Sequence, residues 1–182
     1  MVNYTLPKSI EVEGATYEIR SDYRAILDII SAMNDPDLNG AERAVILLDI
    51  FYPAFNEMPR TAWQEAVDKA IEFIACEKRQ NTGGLKLVDW EQDFQYIIAP
   101  INAVAGKDVR EAEYLHWWSF LGYYGEISDK STFSQIVRIR DALKRGKMDK
   151  ADREWYAKNR DLVDMKVTYT EAEEKLLAEW GV

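Results

Sequence analysis

The most enzyme-like pattern in the sequence is the pair formed by Glu113 and His116, which lie three positions apart. On a helix, positions i and i+3 share one face, and carboxylate-bridged di-metal bundles bind their ions with such pairs. Those sites need the pair twice, whereas His116 is the only histidine among the 182 residues. We therefore interpret His116 as a residue on a helix surface beside the tryptophans and not as a metal ligand.

The other residues that could carry catalysis lack a recognisable context. Cys76 is the only cysteine, which excludes an internal disulfide and a multi-cysteine metal site. It directly follows an apolar helical stripe, so a small buried hydrophobic residue is the favoured interpretation. The sequence has no Gly-x-Ser-x-Gly elbow, and Gly83 and Gly84 precede no Lys-Ser or Lys-Thr pair that would bind phosphate. We expect no catalytic residue, no cofactor and no metal, and thus a protein that is not an enzyme.

An aromatic stripe is the first of two candidate surfaces for a partner. Its members lie at i, i+3, i+4 and i+7 of one predicted helix, and they are Tyr114, Trp117, Trp118 and Leu121. A core face produces this spacing, and an aromatic hot spot in a protein interface also fits it. Further aromatic side chains extend around the same helix, at Phe120, Tyr123 and Tyr124. Since they cannot all face one core, the core and interface interpretations both stay open.

A basic segment is the second candidate surface. From Arg138 to Arg160 the chain has nine Lys or Arg against four acidic residues, although its net charge is −9 and its pI is about 4.8. The candidate docking residues in it are Arg138, Arg140, Lys144 and Arg145. The segment is interpreted either as a solvated face, partly neutralised by the acidic residues from Asp161 onward, or as a docking surface for an acidic partner or nucleic acid. Because the whole chain is acidic, nucleic acid is the less expected partner.

The first twenty residues predict a β-hairpin. Apolar and acidic residues alternate on both sides of Glu13-Gly14. A two-residue turn there places Ile10 opposite Tyr17 and Val12 opposite Ala15, with the apolar side chains on one face. Because an isolated hairpin is only marginally stable, we expect this face to lie on helices.

After Arg20 the apolar period becomes helical. Ser21 or Asp22 is expected to cap a first helix, and Asn39 a second one that runs to about Tyr52 and is apolar nearly all round, as in the centre of a core. Thr61 and Gln64 resemble a capping box for a third helix. The stripe that this third helix is expected to bury is Trp63, Ala66, Val67, Ala70, Ile71 and Ile74.

The rest of the chain predicts further helices. The fourth begins near Asp89 and ends by Gly106, with a kink or an early end at Pro100. The others are expected from about Val109 to Tyr124, from Ser131, from Asp149 to Lys158, and from Thr170. The predicted fold is mainly α, a single domain over residues 1–182, with a short N-terminal β-hairpin at 1–20 and a bundle of about seven or eight helices at 21–182.

The composition is that of a soluble globular protein, with 47% hydrophobic and 30% charged residues. The longest apolar stretch, residues 44–55, is broken by Asp49 and Pro53 and is shorter than the roughly 20 residues that span a bilayer. A single cysteine fits a reducing compartment. We expect a cytoplasmic protein that has no membrane partner.

Three groups of segments together carry a family resemblance: IEVEGATYEIRSDYR (10–24); YLHWWSF (114–120) with TFSQIVRIR (132–140); and EWYAKNR (154–160) leading into VDMK (163–166). The chain resembles the bacteriophage gene product fifteen family of siphophages and prophages of Gram-positive bacteria. The double tryptophan followed by the Phe-Ser-Gln-Ile segment is the most specific part. The resemblance brings no catalytic residues with it.

The resemblance implies a role in phage tail assembly. In that family the gene typically lies just upstream of the tape measure gene, which implies a tail assembly chaperone that acts in the host cell cytoplasm. Such a protein coats the aggregation-prone tape measure protein, helps tail-tube subunits polymerise on it, and is absent from the virion. The implied partners are the tape measure protein and the major tail protein, with a homo-oligomer as a further candidate. The alternatives are a structural tail subunit that stays in the virion and a small acidic inhibitor that mimics DNA, against which the basic segment argues.

Overall fold

The computed structural model describes residues 5–76 and 85–166, which are mainly helical with a two-stranded N-terminal hairpin. The predicted fold class is therefore confirmed. The described residues form two compact units, unit 1 with residues 5–76 and 114–118, and unit 2 with residues 85–113 and 119–166. The organisation of 1–182 as one domain stays a prediction. The helix predicted from Thr170 lies outside the described residues, as do Gly83 and Gly84.

The hairpin has the predicted register. Strands β1 (Ser9–Val12) and β2 (Ala15–Glu18) pair antiparallel, with Ile10 opposite Tyr17 and Val12 opposite Ala15. The two turn residues both have positive φ, 47° at position 13 and 78° at position 14, as a two-residue turn that matches strand twist requires. Val12 is fully buried, and β1 lies against helix α3 (Trp63–Ile74), so the apolar face packs on a helix as expected.

Two predicted caps begin the other helices of unit 1. Asp22 accepts a hydrogen bond from the N–H of Arg24 and starts α1 (Tyr23–Asn34). Asn39 accepts from two backbone N–H groups and starts α2 (Gly40–Phe51), where Glu42 completes a capping box. The prediction that α2 is surrounded by core is wrong. Its neighbours α1 and α3 cover only part of its circumference, and Val45 is 40% exposed.

The third helix differs from its prediction at its start and in its orientation. A 3₁₀ turn at Arg60–Ala62 precedes it, and the hydroxyl of Thr61 donates to the Glu13 carboxylate instead of capping the helix, so no capping box forms. The buried residues of α3 are Ala66, Ala70 and Phe73, whereas Ile71 is 46% exposed. The expected stripe is thus rotated, because the aromatic ring of Phe73 takes the core position. Cys76 lies past the helix end at φ 52° and is half-buried, not buried as expected.

Three helices of unit 2 begin where the sequence predicted. Their N-caps Asp89, Ser131 and Asp149 each accept a hydrogen bond from a backbone N–H of the first turn. The helices are α4 (Trp90–Ala105), α5 (Trp117–Gly125), α6 (Thr132–Lys144), α7 (Lys150–Lys158) and α8 (Arg160–Val163). The first two residues of α5 belong to unit 1 and the rest to unit 2.

Helix α4 ends at Ala105 with Gly106 as its C-cap, as predicted, and the early end at Pro100 does not occur, since buried isoleucines on both sides of the proline anchor the helix in the core. One boundary predicted for this part of the chain is wrong. Helix α5 does not begin at Val109. Residues 109–111 form a 3₁₀ turn and residues 112–116 are not helical, and the backbone of Leu115 and Trp117 pairs with residues 21–23.

The capping box of α2 gives a first prediction. Replacing Asn39 by Ala removes the acceptor for the N–H groups of Ala41 and Glu42. We expect the free energy of unfolding, measured by urea denaturation, to fall by about 1 kcal/mol. Asn56→Ala serves as the matched control, because Asn56 is exposed and caps none of the described helices. Equal losses for the two variants would contradict the assignment.

Candidate interaction site

The two tryptophans expected in a hot spot are hydrogen-bonded inside unit 1. Trp117 is 2% exposed, and its indole N–H donates to the carbonyl of Ile74 at 2.9 Å. The indole N–H of Trp118 donates to the carbonyl of Phe73 at 2.9 Å, and the two rings stack with centroids 5.3 Å apart. Both carbonyls lie in the last turn of α3, where helix carbonyls lack intrahelical donors. The carbonyl of Phe73 also accepts from the backbone N–H of Cys76, whereas that of Ile74 receives the indole N–H of Trp117. Trp117 therefore has a core role, which corrects its candidate role in partner binding.

Two further aromatic residues of α5, Phe120 and Tyr124, pack within unit 2. Phe120 is fully buried, and its ring lies 6.2 Å from that of Trp90. The Tyr124 ring lies 5.0 Å from Trp90 and 5.7 Å from Phe133. Leu121 is half-buried beside them in the sequence. These rings connect α4, α5 and α6 in a core cluster and do not form the extended aromatic surface that was one interpretation.

The segment 114–118, which is non-helical up to His116 and enters α5 at Trp117, is held against residues 21–23 by backbone hydrogen bonds. The N–H of Tyr23 donates to the carbonyl of Leu115 at 3.0 Å, and the N–H of Trp117 donates to the carbonyl of Ser21 at 2.8 Å. The carboxylate of Asp22 accepts from the N–H of Leu115 at 2.9 Å, in addition to capping α1. We call residues 114–118 the strap.

His116 is a buried, neutral residue of the strap and not the helix-surface residue that was expected. Its Nδ1 accepts from the N–H of Trp118 at 3.0 Å, so the proton is on Nε2, which donates to the carbonyl of Pro7 at 3.0 Å. Burial, with the nearby charge of Lys8 adding to it, lowers the pKa of His116, against a smaller opposing effect of the Pro7 bond. Glu113 is exposed and lies outside any helix, so the i, i+3 geometry of a metal-binding pair is not formed.

Tyr114 is the one member of the aromatic stripe that is presented to solvent, with 45% of its surface exposed. Its hydroxyl is 2.8 Å from the Oγ of the buried Ser21, and the ammonium of Lys8 lies 5.1 Å from its ring centroid. The ring borders an open cleft of about 540 Å³ in unit 1. The cleft is lined by charged residues at its rim, Glu18, Arg20, Asp22, Arg24 and Asp28 among them.

The basic segment is largely paired with acidic neighbours of unit 2. Arg138 contacts Asp152 at 2.8 Å, and Arg145 contacts Asp141 at 2.7 Å. The ammonium of Lys144 donates to the carbonyl of Lys86. Among the acidic residues that were expected to neutralise the segment, Asp164 lies 3.5 Å from Arg160, and those after Lys166 lie outside the described residues. This arrangement favours the solvated, internally neutralised face over the docking surface.

Arg140 is an interior residue, which corrects its candidate role as a docking residue. It is 2% exposed, and its guanidinium contacts the buried carboxylate of Asp93 through two bonds of 2.6 and 2.9 Å. The same group donates to three backbone carbonyls, those of Leu87, Leu162 and Val163. A planar guanidinium with five N–H donors suits such a set of acceptors. Arg140 thereby fixes α8 and the segment before α4 to α6.

Neither a metal-binding cluster nor a membrane-spanning helix is found among the described residues. Within residues 5–76 and 85–166, no group of three or more His, Cys, Asp or Glu side chains is placed to hold a metal ion. In the same ranges, no helix combines the length and the apolar character needed to cross a membrane.

The fold and the site define the chain as a mainly helical protein with an N-terminal hairpin and a single presented aromatic residue on its strap. The family model described as "Bacteriophage Gp15 protein" matches residues 2–165. The chain belongs to this family of bacteriophage proteins, as the sequence resemblance indicated. No curated protein and no solved structure matches it.

The residues that hold the strap and line its cleft were missed by the sequence analysis. Lys8, Ser21 and Asp22 act on residues more than 90 positions away, and no local pattern announces such contacts. Asp22 was identified only as a helix cap. A carboxylate that caps a helix has acceptor capacity left for a second N–H, which is the one signal available beforehand.

The buried histidine predicts a pH dependence of stability. The pKa of His116 in the folded chain lies below its ordinary value of 6.5, so the unfolded chain binds more protons in this range. The contribution of His116 to the free energy of unfolding should therefore fall as the pH drops below about 6.5, and it should be constant above about 7.5. Chemical denaturation of the wild type and of His116→Asn, which keeps an acceptor for Trp118, measures the difference. A difference that does not change between pH 7.5 and 5 would contradict this role.

The buried ion pair predicts a large difference between two arginines of α6 and its C-terminal cap. Arg140→Met leaves the Asp93 carboxylate buried without its partner, and we expect a loss of about 3–5 kcal/mol in urea denaturation. Arg145→Met is the matched control and should cost less than about 1 kcal/mol, because its ion pair is exposed. Adding Asp93→Leu to Arg140→Met should restore part of the loss. If both arginine variants lose the same stability, the interior role of Arg140 is wrong.

Proposed function

We propose that this phage protein is a non-enzymatic tail assembly chaperone that binds the tape measure protein, tail-tube subunits, or both during tail morphogenesis. The observation that carries the proposal is membership of the Bacteriophage Gp15 protein family over residues 2–165. The resemblance implies a gene next to that of the tape measure protein, and neighbouring phage genes commonly encode proteins of one assembly step.

The surface of unit 1 supports a binding role of this kind. A chaperone for a long helical protein needs exposed contact residues together with a charged exterior that keeps the complex soluble. In the described part of unit 1, four large apolar side chains besides Tyr114 are more than a third exposed: Leu6, Met33, Val45 and Ile71. Thirteen acidic residues against six Lys or Arg in the same residues provide the charge. The hydrogen bonds of the strap and of the helix ends hold the backbone beneath this surface in place.

Co-expression tests the proposal. The chain is produced in a bacterial host together with the product of the next large gene downstream, and the soluble fraction is analysed by size-exclusion chromatography. We expect the tape measure protein to become soluble and to co-elute with this chain. Co-expression with an unrelated coiled-coil protein of similar length is the control and should give no complex. A tape measure protein that stays insoluble and unbound would contradict the proposal.

Purified phage particles separate the chaperone from a structural tail subunit. A chaperone is released before the tail is complete, so mass spectrometry of particles should detect the tail-tube protein but not this chain. Its presence at a fixed ratio to the tail-tube protein would indicate a retained subunit instead.

A further inference from the structure

Tyr114 is a solvent-exposed aromatic ring that the fold holds in place. Its neighbours Leu115 and His116 are buried, and the strap on which it lies is fixed by the backbone bonds to residues 21–23. The hydroxyl is held by Ser21, which is itself buried. A ring that is ordered before binding loses little conformational entropy when a partner covers it. This is the property of an anchor residue in an interface.

A cationic side chain of the same protein already lies over the exposed ring of Tyr114. The ammonium of Lys8 lies 5.1 Å from the ring centroid, which is within cation–π distance. Lys8 is otherwise exposed, and its flexible stem can move away without loss of a buried contact. The ring therefore faces a position at which a cationic group is favoured, and Lys8 occupies that position reversibly.

The charges around the cleft divide into engaged and available groups. Arg20 donates to the carbonyls of Asp49 and Ile50, and Arg24 is paired with Asp22. Glu18 and Asp28 are exposed, and neither makes an ion pair within the described residues. With Lys8 displaced, the lining of the cleft keeps three carboxylates, those of Glu18, Asp22 and Asp28, against the two guanidinium groups of Arg20 and Arg24, so its formal charge becomes −1.

The net charge of unit 1 also favours a cationic partner, and it acts over a longer distance than the groups in the cleft. Its described residues have a formal charge of −7, from thirteen Asp or Glu and six Lys or Arg. A field of this sign raises the rate at which cationic segments reach the surface and disfavours polyanions such as nucleic acid.

We propose that the cleft beside Tyr114 binds a lysine- or arginine-bearing segment of a partner protein, whose cation replaces Lys8 on the ring and pairs with Glu18 and Asp28. The cleft adds detail to the proposed function, because it assigns a docking surface to the chaperone and predicts a positively charged segment in its phage partner. The identity of that partner rests on the proposed function, whereas the chemistry of the cleft does not.

Binding of a defined peptide tests the cleft. The probe is a fluorescein-labelled, end-capped, alanine-rich helical peptide with four lysines on one face, and the reference peptide has glutamine in their place. Fluorescence anisotropy should show binding of the lysine peptide that weakens with salt. Tyr114→Ala should weaken it about tenfold, since a cation–π contact and an aromatic anchor are lost. Equal binding of both peptides, or equal affinity of Tyr114→Ala and the wild type, would overturn the proposal.

Charge variants separate the cleft from the general field of unit 1. Glu18→Gln and Asp28→Asn should each weaken binding about threefold, and Lys8→Gln should strengthen it about threefold because the internal competitor is removed. Glu57→Gln makes the same charge change in unit 1 at a residue that does not line the cleft, and it should leave the affinity unchanged. If Glu57→Gln weakens binding of the peptide as much as Glu18→Gln does, the effect comes from net charge alone and the proposed cleft is overturned.

Two further measurements separate loss of the ring from other effects of substitution. Tyr114→Phe keeps the ring and removes only the hydroxyl contact with Ser21, so it should bind the peptide more tightly than Tyr114→Ala. Peptide titration of the isotope-labelled wild-type protein should shift the NMR signals of Lys8, Asp28 and Tyr114 first. Shifts confined to other residues would also overturn the proposal.

The cleft and the chaperone can fail separately. If the co-expressed complex forms with Tyr114→Ala as it does with the wild type, the cleft is wrong and the chaperone function stands. If no complex forms while the lysine peptide binds as expected, the chaperone function is wrong and the cleft stands.

Discussion

The carbonyl oxygens at the ends of helices need hydrogen-bond donors, and this need decides the roles of many conspicuous side chains in the protein. The last four carbonyls of an α-helix have no donor within the helix, and a buried carbonyl without a donor is costly. In α2, the first of these four carbonyls, that of Leu48, accepts from the backbone N–H of Tyr52. The other three accept from Arg20. Its guanidinium donates to the carbonyls of Asp49 and Ile50, and its backbone N–H donates to that of Phe51.

The same need explains the double tryptophan and the buried arginine. The indoles of Trp117 and Trp118 donate to the end of α3, and the guanidinium of Arg140 donates to α8. Each of these donors comes from a distant part of the chain within the same unit. Residues that had the composition of a binding surface are therefore occupied in holding helix ends, and Tyr114 is left as the presented aromatic residue.

Local features of the fold followed from the sequence, because their causes lie within a few residues. The hairpin register depends on a two-residue turn, and the caps Asn39, Ser131 and Asp149 depend on a side chain reaching its own helix. The start of α5 could not be predicted in this way. Its stripe has helical spacing, but backbone pairing with residues 21–23 keeps the first of its members extended.

The candidate site was predicted only in part, for the same physical reason. Tyr114 was among the expected binding residues, but Lys8, Ser21 and Asp22 contact the strap across long separations that no local pattern reveals. The buried face of α3 is rotated from its predicted orientation because Phe73, at one edge of the apolar face, takes the core position in place of Ile71 at the other edge. The elements packed against α3 decide which side of the helix is buried, and Ile71 remains exposed to solvent.

Hydrogen exchange of the two indole N–H groups tests most directly whether the double tryptophan is structural. Both groups donate to backbone carbonyls at 2.9 Å, so their NMR signals in the native protein should exchange with D₂O far more slowly than those of a free indole. The N–H of Leu115, bound to Asp22, should be protected with them. Exchange of both indoles at the rate of a free tryptophan side chain would contradict the account and return Trp117 and Trp118 to the surface.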